Sequence, residues 1–330
     1  MKKFIAIALS IVSVFAVSVF SACGDNADGT TLTVYAPDGA PALSVAKFIN
    51  DKEDFGTELT VNYNVVAASN IGTVMAQGTG DIIIMPVNAA SKLYAANTSD
   101  KYKMAGVITH GNLYIMSKEN LTLQGLTGKV VGVIGQGNVP DLTFKAVLNK
   151  NGIEYEVSDT EVSGKVALRY FADGSEIIPA LRQSSITVGL VPEPAANKLT
   201  NLDGSYRYAL DLQELYDAEA KAYPQAVVMV KSSILNKYPD LITDFGGKIA
   251  GAVSWAKENV ALAVGAVDSV LENGLTASLS AANLNDTVID NCKISWQSAA
   301  DAKAAVQAYI NDIISVEPQA AKAVPDEFFA

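Results

Sequence analysis

Six short stretches hold the residues of this chain that could do chemistry, and they share a composition. Residues 36–41, 67–70, 86–90, 109–112, 135–141 and 192–195 are built mainly from glycine, alanine and proline, with a few short polar side chains. The first contains Asp38, Gly39 and Ala40, the second Ser69 and Asn70, and the third Asn88 and Ala89. The fourth contains Thr109, Gly111 and Asn112, the fifth Gln136, Gly137 and Asn138, and the sixth Glu193 and Pro194. Small residues let backbone N–H groups at helix starts face a small molecule, because no side chain stands in the way. The same residues also make tight turns. Asn88, Asn112, Gln136 and Asn138 can each donate and accept hydrogen bonds, which suits a small polar solute.

None of the six stretches contains lysine or arginine. Bidentate arginine is the usual strong clamp for a carboxylate or sulfonate, so the pattern favours an uncharged or weakly cationic solute. Asp38 and Glu193 fit two roles, holding a cationic or N–H-rich group or capping a helix N-terminus. Tyr35, Tyr63, Tyr94 and Tyr114 are candidates for a stacking wall or for the edge of the core. The only histidine, His110, excludes the usual histidine-rich zinc sites and more than one histidine-dependent catalytic unit. We expect His110 to be a loop residue, and we expect no metal and no cofactor.

The elements that must position these stretches are strands alternating with helices, which predicts largely parallel sheets covered on both faces. Apolar runs predict strands at 32–35, 59–66, 81–85, 107–109, 113–117, 130–133, 154–157, 167–171, 187–191 and 226–230. Each candidate stretch follows a strand, and ligands of open α/β sheets bind outside the carboxyl ends of strands. Beyond residue 230 the pattern turns to helix, with apolar residues at helical spacing over 240–258, 260–271 and 299–314.

The chain of 330 residues opens with Lys2, Lys3 and an apolar run over 4–20, followed by Ser21, Ala22 and Cys23. That is the layout of a secretory signal. Phe-Ser-Ala-Cys resembles a bacterial lipobox, with Phe20 where leucine is usual, so Cys23 is the expected lipidation site and mature N-terminus. Residues 23–31 read as a flexible tether. Losing residues 1–22 removes two lysines and takes the formal charge from −11 to −13. That acidity argues against a nucleic-acid partner. Cys292 then has no partner for a disulfide and is expected to be a buried small apolar residue.

Four segments in order resemble the solute-binding proteins of ABC importers. They are Tyr-Ala-Pro-Asp-Gly-Ala-Pro-Ala from residue 35, Gly-Asp-Ile-Ile-Ile-Met-Pro-Val-Asn from 80, Leu-Thr-Gly-Lys-Val-Val-Gly-Val from 126 and Val-Gly-Leu-Val-Pro-Glu-Pro-Ala from 188. The resemblance is to the branch serving thiamine precursors, alkanesulfonates, taurine and nitrate, and it runs from about residue 32 to 314. It implies an α/β, two-lobed periplasmic-binding-protein fold of type II, with two hinge crossings near 113–118 and 222–231 and a helical C-terminal layer. The implied division is 32–115 and 225–330 for one lobe and 116–224 for the other. It also implies an extracytoplasmic, membrane-anchored monomer that holds a small molecule between its lobes and hands it to an ABC permease and its ATPase. The candidate residues above would then face the ligand, for which a neutral heterocycle such as a thiamine-precursor pyrimidine is the first expectation and a sulfonate, taurine or nitrate the second. Two other readings compete. A sensor lipoprotein would use the same closing motion to signal. An enzyme would need more than Gly135-Gln-Gly137, because Pro140 occupies the third glycine of a dinucleotide fingerprint.

Overall fold

The computed structural model describes residues 31–98 and 101–330. The expected signal sequence, Cys23 and the expected tether up to residue 30 lie outside the described residues. Among those described, no helix is long and apolar enough to cross a membrane.

The chain builds two sheets of six strands each. The first begins with β1 (Thr31–Pro37), followed by α1 (Ala40–Ser44) and α2 (Ala46–Asp51). Then come β2 (Thr60–Val66), α3 (Ile71–Gln77), β3 (Ile82–Pro86), α4 (Val87–Leu93) and β4 (Tyr102–Thr109). The second lobe holds β5 (Leu113–Ser117), β6 (Val130–Ile134), α5 (Val139–Lys150), β7 (Tyr155–Val157) and β8 (Val166–Phe171). It continues with α6 (Gly174–Arg182), β9 (Val188–Pro192), α7 (Ala195–Leu202), β10 (Arg207–Asp211) and α8 (Leu212–Tyr216). The chain then returns through β11 (Ala226–Lys231), α9 (Ser232–Lys237), α10 (Leu241–Glu258), α11 (Val260–Asp268), α12 (Asp286–Asn291), β12 (Ile294–Ser298) and α13 (Ala299–Val316).

Strand order is β12-β4-β11-β3-β1-β2 in the first sheet and β10-β5-β9-β6-β8-β7 in the second. The sheets are mixed rather than largely parallel. β11 runs antiparallel to β3 and β4, and β5 antiparallel to β9 and β10. The reason is topological. The parallel strands of each lobe end at the boundary between the lobes, so a strand that enters a lobe from that boundary must run the other way. The chain leaves the first sheet after Thr109 and joins the second at Leu113, and it returns between Tyr216 and Ala226. Leu113–Ser117 and Ala226–Lys231, where the resemblance set the crossings, are strands of the sheets, as their apolar runs predict.

One apolar cluster runs through both lobes, with Met85 and Met104 on one side of the crossings, Leu113 and Leu142 on the other, and Tyr223 and Tyr309 among them. Tyr223 and Tyr309 stack with ring centroids 5.4 Å apart, and Tyr216 meets both edge-on. Thr143 of α5 shares a 2.5 Å hydrogen bond with the Tyr309 hydroxyl, and Lys150 pairs with Asp312 at 2.6 Å. Through these contacts α13, although it follows the first sheet, clasps the second lobe.

The short strand β12 escapes the sequence pattern, which reads this region as helix. Trp296 seats it, packing edge-on to Phe245 and filling the space over two glycines. A Cβ at Gly106 would come 2.6 Å from both the Gln297 carbonyl and the Trp296 ring, and one at Gly246 would overlap the Trp296 indole. Cys292 is fully buried nearby, as a small apolar residue, and burial pushes its thiol pKa up.

Gly246 and its neighbour Gly247 in α10 provide a matched test. Gly246→Ala should lower the unfolding free energy by about 1–3 kcal/mol through overpacking. Gly247→Ala meets nothing within 4 Å and should leave stability unchanged or raise it by up to about 1 kcal/mol through helix propensity. Urea unfolding of the two variants measures the contrast.

Candidate functional site

The carboxyl ends of β1, β2 and β3 in one lobe, and of β6, β8 and β9 in the other, open toward the two crossings. Each delivers one of the candidate stretches or its neighbour. The crossings themselves are bonded side by side. Gln225 N–H donates to the Thr109 carbonyl at 3.0 Å, Tyr223 N–H to the His110 carbonyl at 3.3 Å, and His110 N–H to the Lys293 carbonyl at 3.0 Å. Gly111 sits between them with φ 96°, and a Cβ there would come 2.6 Å from Gln213 and 2.8 Å from Tyr223. Only glycine fits.

Several expected site residues have partners within the protein. Thr109 is fully buried and its hydroxyl accepts from Ala226 N–H at 3.1 Å. Asn112 is buried, with Nδ2 donating to the Glu193 carbonyl and Oδ1 accepting from Gln225 Nε2, both at 2.9 Å. Asn88 is buried in the first turn of α4 and donates to the Ala320 carbonyl at 3.2 Å. Ala40 and Pro194 are buried, and Ala89 is half-buried. Ser69, Gln136 and Asn138 are exposed. Asn70 precedes α3, but its side chain does not cap the helix. It donates to Glu272 at 3.0 and 3.1 Å.

The candidate tyrosines pack into the protein, Tyr35 partly buried against the core. Tyr63 is buried and donates to the Glu53 carbonyl, Tyr94 packs on Phe328, and Tyr114 packs on Tyr208. The C-terminal segment also enters the region, since Lys322 N–H donates to the Ser91 hydroxyl one turn beyond Asn88.

Five helix starts, or the loops leading into them, already hold a carboxylate of the protein at this boundary. Asp38 accepts from Gly39 N–H at 2.9 Å before α1, and its other oxygen accepts from Ser278 N–H at 2.8 Å. Glu272 accepts from Ala67 N–H at 3.0 Å before α3. Asp141 accepts from Gly137 N–H at 2.8 Å, from Lys145 at 3.0 Å and from Tyr170 at 2.8 Å in the first turn of α5. Asp173 caps α6 through Ser175 N–H at 2.7 Å. Glu193 takes Asn197 N–H of α7 at 3.0 Å. Glu193 thus serves the capping role that its type allowed, whereas Asp38 ties the loop before α1 to Ser278 without capping the helix. Glu272 and Gln225 were absent from the sequence reading, because only the fold brings them to the candidate loops, and Asp141 ended the fifth stretch without being singled out as a candidate residue.

Glu193 also joins the two lobes. It accepts from Tyr208 at 2.5 Å and from Asn291 of the first lobe at 3.4 Å. Asn197 and Asn201 of α7 donate to the carbonyls of Asn283 and Ala282. Segment 272–283 therefore touches both lobes, covering the starts of α1 and α3 on one side and meeting α7 on the other. Burial pushes the Glu193 carboxyl pKa up, against hydrogen bonds from Tyr208, Asn197 and Asn291 that lower it.

Two cavities, of about 700 and 560 Å³, lie elsewhere. They follow α10 and β12 behind the crossings, and His110, Lys221, Lys293 and Trp296 line the smaller one. Desolvation holds the His110 pKa below its ordinary value. Among the described residues, no group of three or more His, Cys, Asp or Glu side chains is placed to hold a metal ion.

No protein-family model matches the sequence, and no curated protein does. Solved structures do share the fold. An ABC transporter structure from Parabacteroides distasonis matches with a TM-score of 0.73 at 21% identity, covering 91% of this chain and 99% of that one. The periplasmic aliphatic sulphonate binding protein of Escherichia coli matches at 0.64 and 13% identity, over 89% and 90% of the two chains. The alkanesulfonate-binding protein of Xanthomonas axonopodis pv. citri, bound to MOPS, matches at 0.60 and 16% identity, over 89% and 96%. The chain has the α/β, two-lobed fold of ABC-importer solute-binding proteins, and at these identities the likeness is one of fold.

The raised Glu193 pKa has a definite sign in stability. A carboxyl whose folded pKa lies above its unfolded value contributes stability that is present at acid pH and is lost as pH rises through the folded pKa. Unfolding of wild type and Glu193→Gln should therefore diverge as pH rises from the ordinary carboxylate range, with wild type losing ground. Parallel stability curves from pH 4 to 8 would remove Glu193 as the source.

Proposed function

We propose that this protein is an extracytoplasmic solute-binding lipoprotein, anchored through lipid at Cys23, that captures a small polar molecule between its lobes and delivers it to an ABC permease and its ATPase. Capture begins on one lobe, the other closes over the ligand by bending at the two crossings, and the closed monomer docks on the permease. The shared fold supports the transport reading, and the boundary between the lobes supports a choice of ligand.

One observation carries that choice. The starts of α6 and α7 hold Asp173 and Glu193, and the loops before α1, α3 and α5 hold Asp38, Glu272 and Asp141, where an anion could have bound instead. A helix N-terminus attracts one negative charge, and a carboxylate already in place repels a second. The candidate stretches add no lysine or arginine to reverse the field. We therefore read the ligand as a neutral or weakly cationic solute, with a nitrogen heterocycle such as a thiamine-precursor pyrimidine as the leading candidate. A sulfonate is the second candidate, because two of the fold relatives are named for binding sulfonates.

The test is thermal unfolding of the chain against aminopyrimidines, thiamine, riboflavin, taurine, ethanesulfonate and nitrate. A ligand at about a hundred times its dissociation constant adds about 2.7 kcal/mol. The expected result is a rise in Tm with a neutral or cationic heterocycle and none with ethanesulfonate or nitrate. A rise with ethanesulfonate alone would keep the binding role and replace the ligand.

A further inference from the structure

The two cavities behind the crossings adjoin, since Val253, Ile294, Ser295 and Trp296 line both. Their walls differ in character. The larger, of about 700 Å³, runs along α10, where Ile242, Gly246, Gly247 and Ala250 line it together with Trp296 of β12. The Trp296 indole occupies the space over Gly246, whereas a Cβ at Gly247 would meet nothing within 4 Å. One glycine is thus a packing contact, and its neighbour is part of an open apolar floor.

The smaller cavity, of about 560 Å³, is the charged end. Lys221 of the second crossing and Lys293 before β12 line it, and Asp290 is the one carboxylate among its lining residues. Asp290 is already held by Lys257 at 2.5 Å. Lys221 reaches Glu214 at 2.9 Å, an exposed pair of the kind that contributes little. Lys293 forms no salt bridge among the described residues. Desolvation holds the His110 pKa below its ordinary value, so at neutral pH the positive charge here comes from the lysines. A cationic end is unexpected in a chain of formal charge −11.

We propose that the joined cavities are a second ligand site, separate from the space between the lobes, that takes a small anionic amphiphile: one apolar tail along α10 against Trp296, and an anionic head at Lys293 and Lys221. Each cavity falls within the range of small-molecule pockets, about 300–1,000 Å³. Burial of the tail supplies affinity in proportion to its apolar area, and the lysine end sets orientation and charge preference. None of the candidate residues between the lobes lines either cavity, so the site stands whatever the lobes capture. His110 and Lys221 belong to the two crossings, and an occupant therefore rests against the segments at which the lobes bend.

The test is calorimetry of the full chain with octanoate, octyl phosphate, octylammonium and acetate. At least one of the two long-chain anions should bind at least tenfold tighter than both octylammonium and acetate, and which one does so identifies the head group. Gly247→Leu fills the open floor and should weaken that anion at least tenfold, with the probe-free unfolding midpoint unchanged or raised. Should it not fold, Ala250→Leu on the same exposed face takes its place. The double variant Lys221→Gln/Lys293→Gln should narrow the gap between the anion and octylammonium at least tenfold. Unchanged affinity in a folded floor variant overturns the site, and equal binding of the anions and octylammonium, or an unchanged gap in the double variant, overturns the anionic head. Silence from all four probes overturns the proposal and leaves the groove to a protein partner. Heterocycle binding between the lobes is untouched by Gly247→Leu, so the two readings fail separately.

Discussion

The architecture depends on two segments of chain lying side by side. Residues 110–112 and 217–225 carry the chain out of one sheet and back, and backbone bonds from Tyr223 and Gln225 to His110 and Thr109 hold them together. Gln213, fully buried, accepts from Leu113 N–H and donates to the Leu113 carbonyl, so the first crossing is fastened on its far side too. Backbone groups at a crossing have no sheet ladder to satisfy them, and burial makes each unpaired one costly. Side-chain amides supply the missing bonds. Gln213 bonds both backbone groups of Leu113, Asn112 donates to the Glu193 carbonyl, and Gln225 holds the Asn112 amide in place.

The same constraint shapes the space between the lobes. Parallel strands must end there, and each is followed by a helix whose first N–H groups lack partners. In this chain the protein's own carboxylates meet these starts or the loops before them, and one of them, Glu272, comes from a position distant in sequence. Glu272 reaches the loop before α3, and Asp38 in turn accepts from Ser278. Segment 272–283 is therefore tied to the face it covers. The arrangement satisfies these N–H groups without any ligand and gathers carboxylates at the boundary, with Asp141 balanced by Lys145.

Opposite that segment, α13 spans the crossings from the other side. Its Tyr309 and Asp312 grip α5 and α8 while the residues after it bond Asn88 and Ser91. Motion of one lobe against the other must pivot against this packed tyrosine cluster, because Tyr216, Tyr223 and Tyr309 already touch one another across the boundary. Close packing resists continuous deformation, so hinge motion is confined to bending that leaves the cluster intact.

Much of the fold was legible in the sequence. Apolar runs at period two and helical spacing placed most of the strands and long helices, because burial of a face imposes that periodicity locally. The glycine- and proline-rich stretches after the strands marked where a site would lie, since a turn and a close backbone approach demand the same residues. The expectation of export and lipidation rests on the pattern of residues 1–23, which lie outside the described residues. What the tertiary structure alone decided was partnership. Whether Asn88 faces solvent or the Ala320 carbonyl, whether Glu193 binds a ligand or caps α7, and that Glu272 and Gln225 reach the candidate loops at all depend on contacts between residues far apart in the chain. The strand β12 was hidden for the same reason, since Trp296 settles into a place made by glycines at 106 and 246. Local spacing encodes which face of an element is buried, and only the packed fold determines what it is buried against.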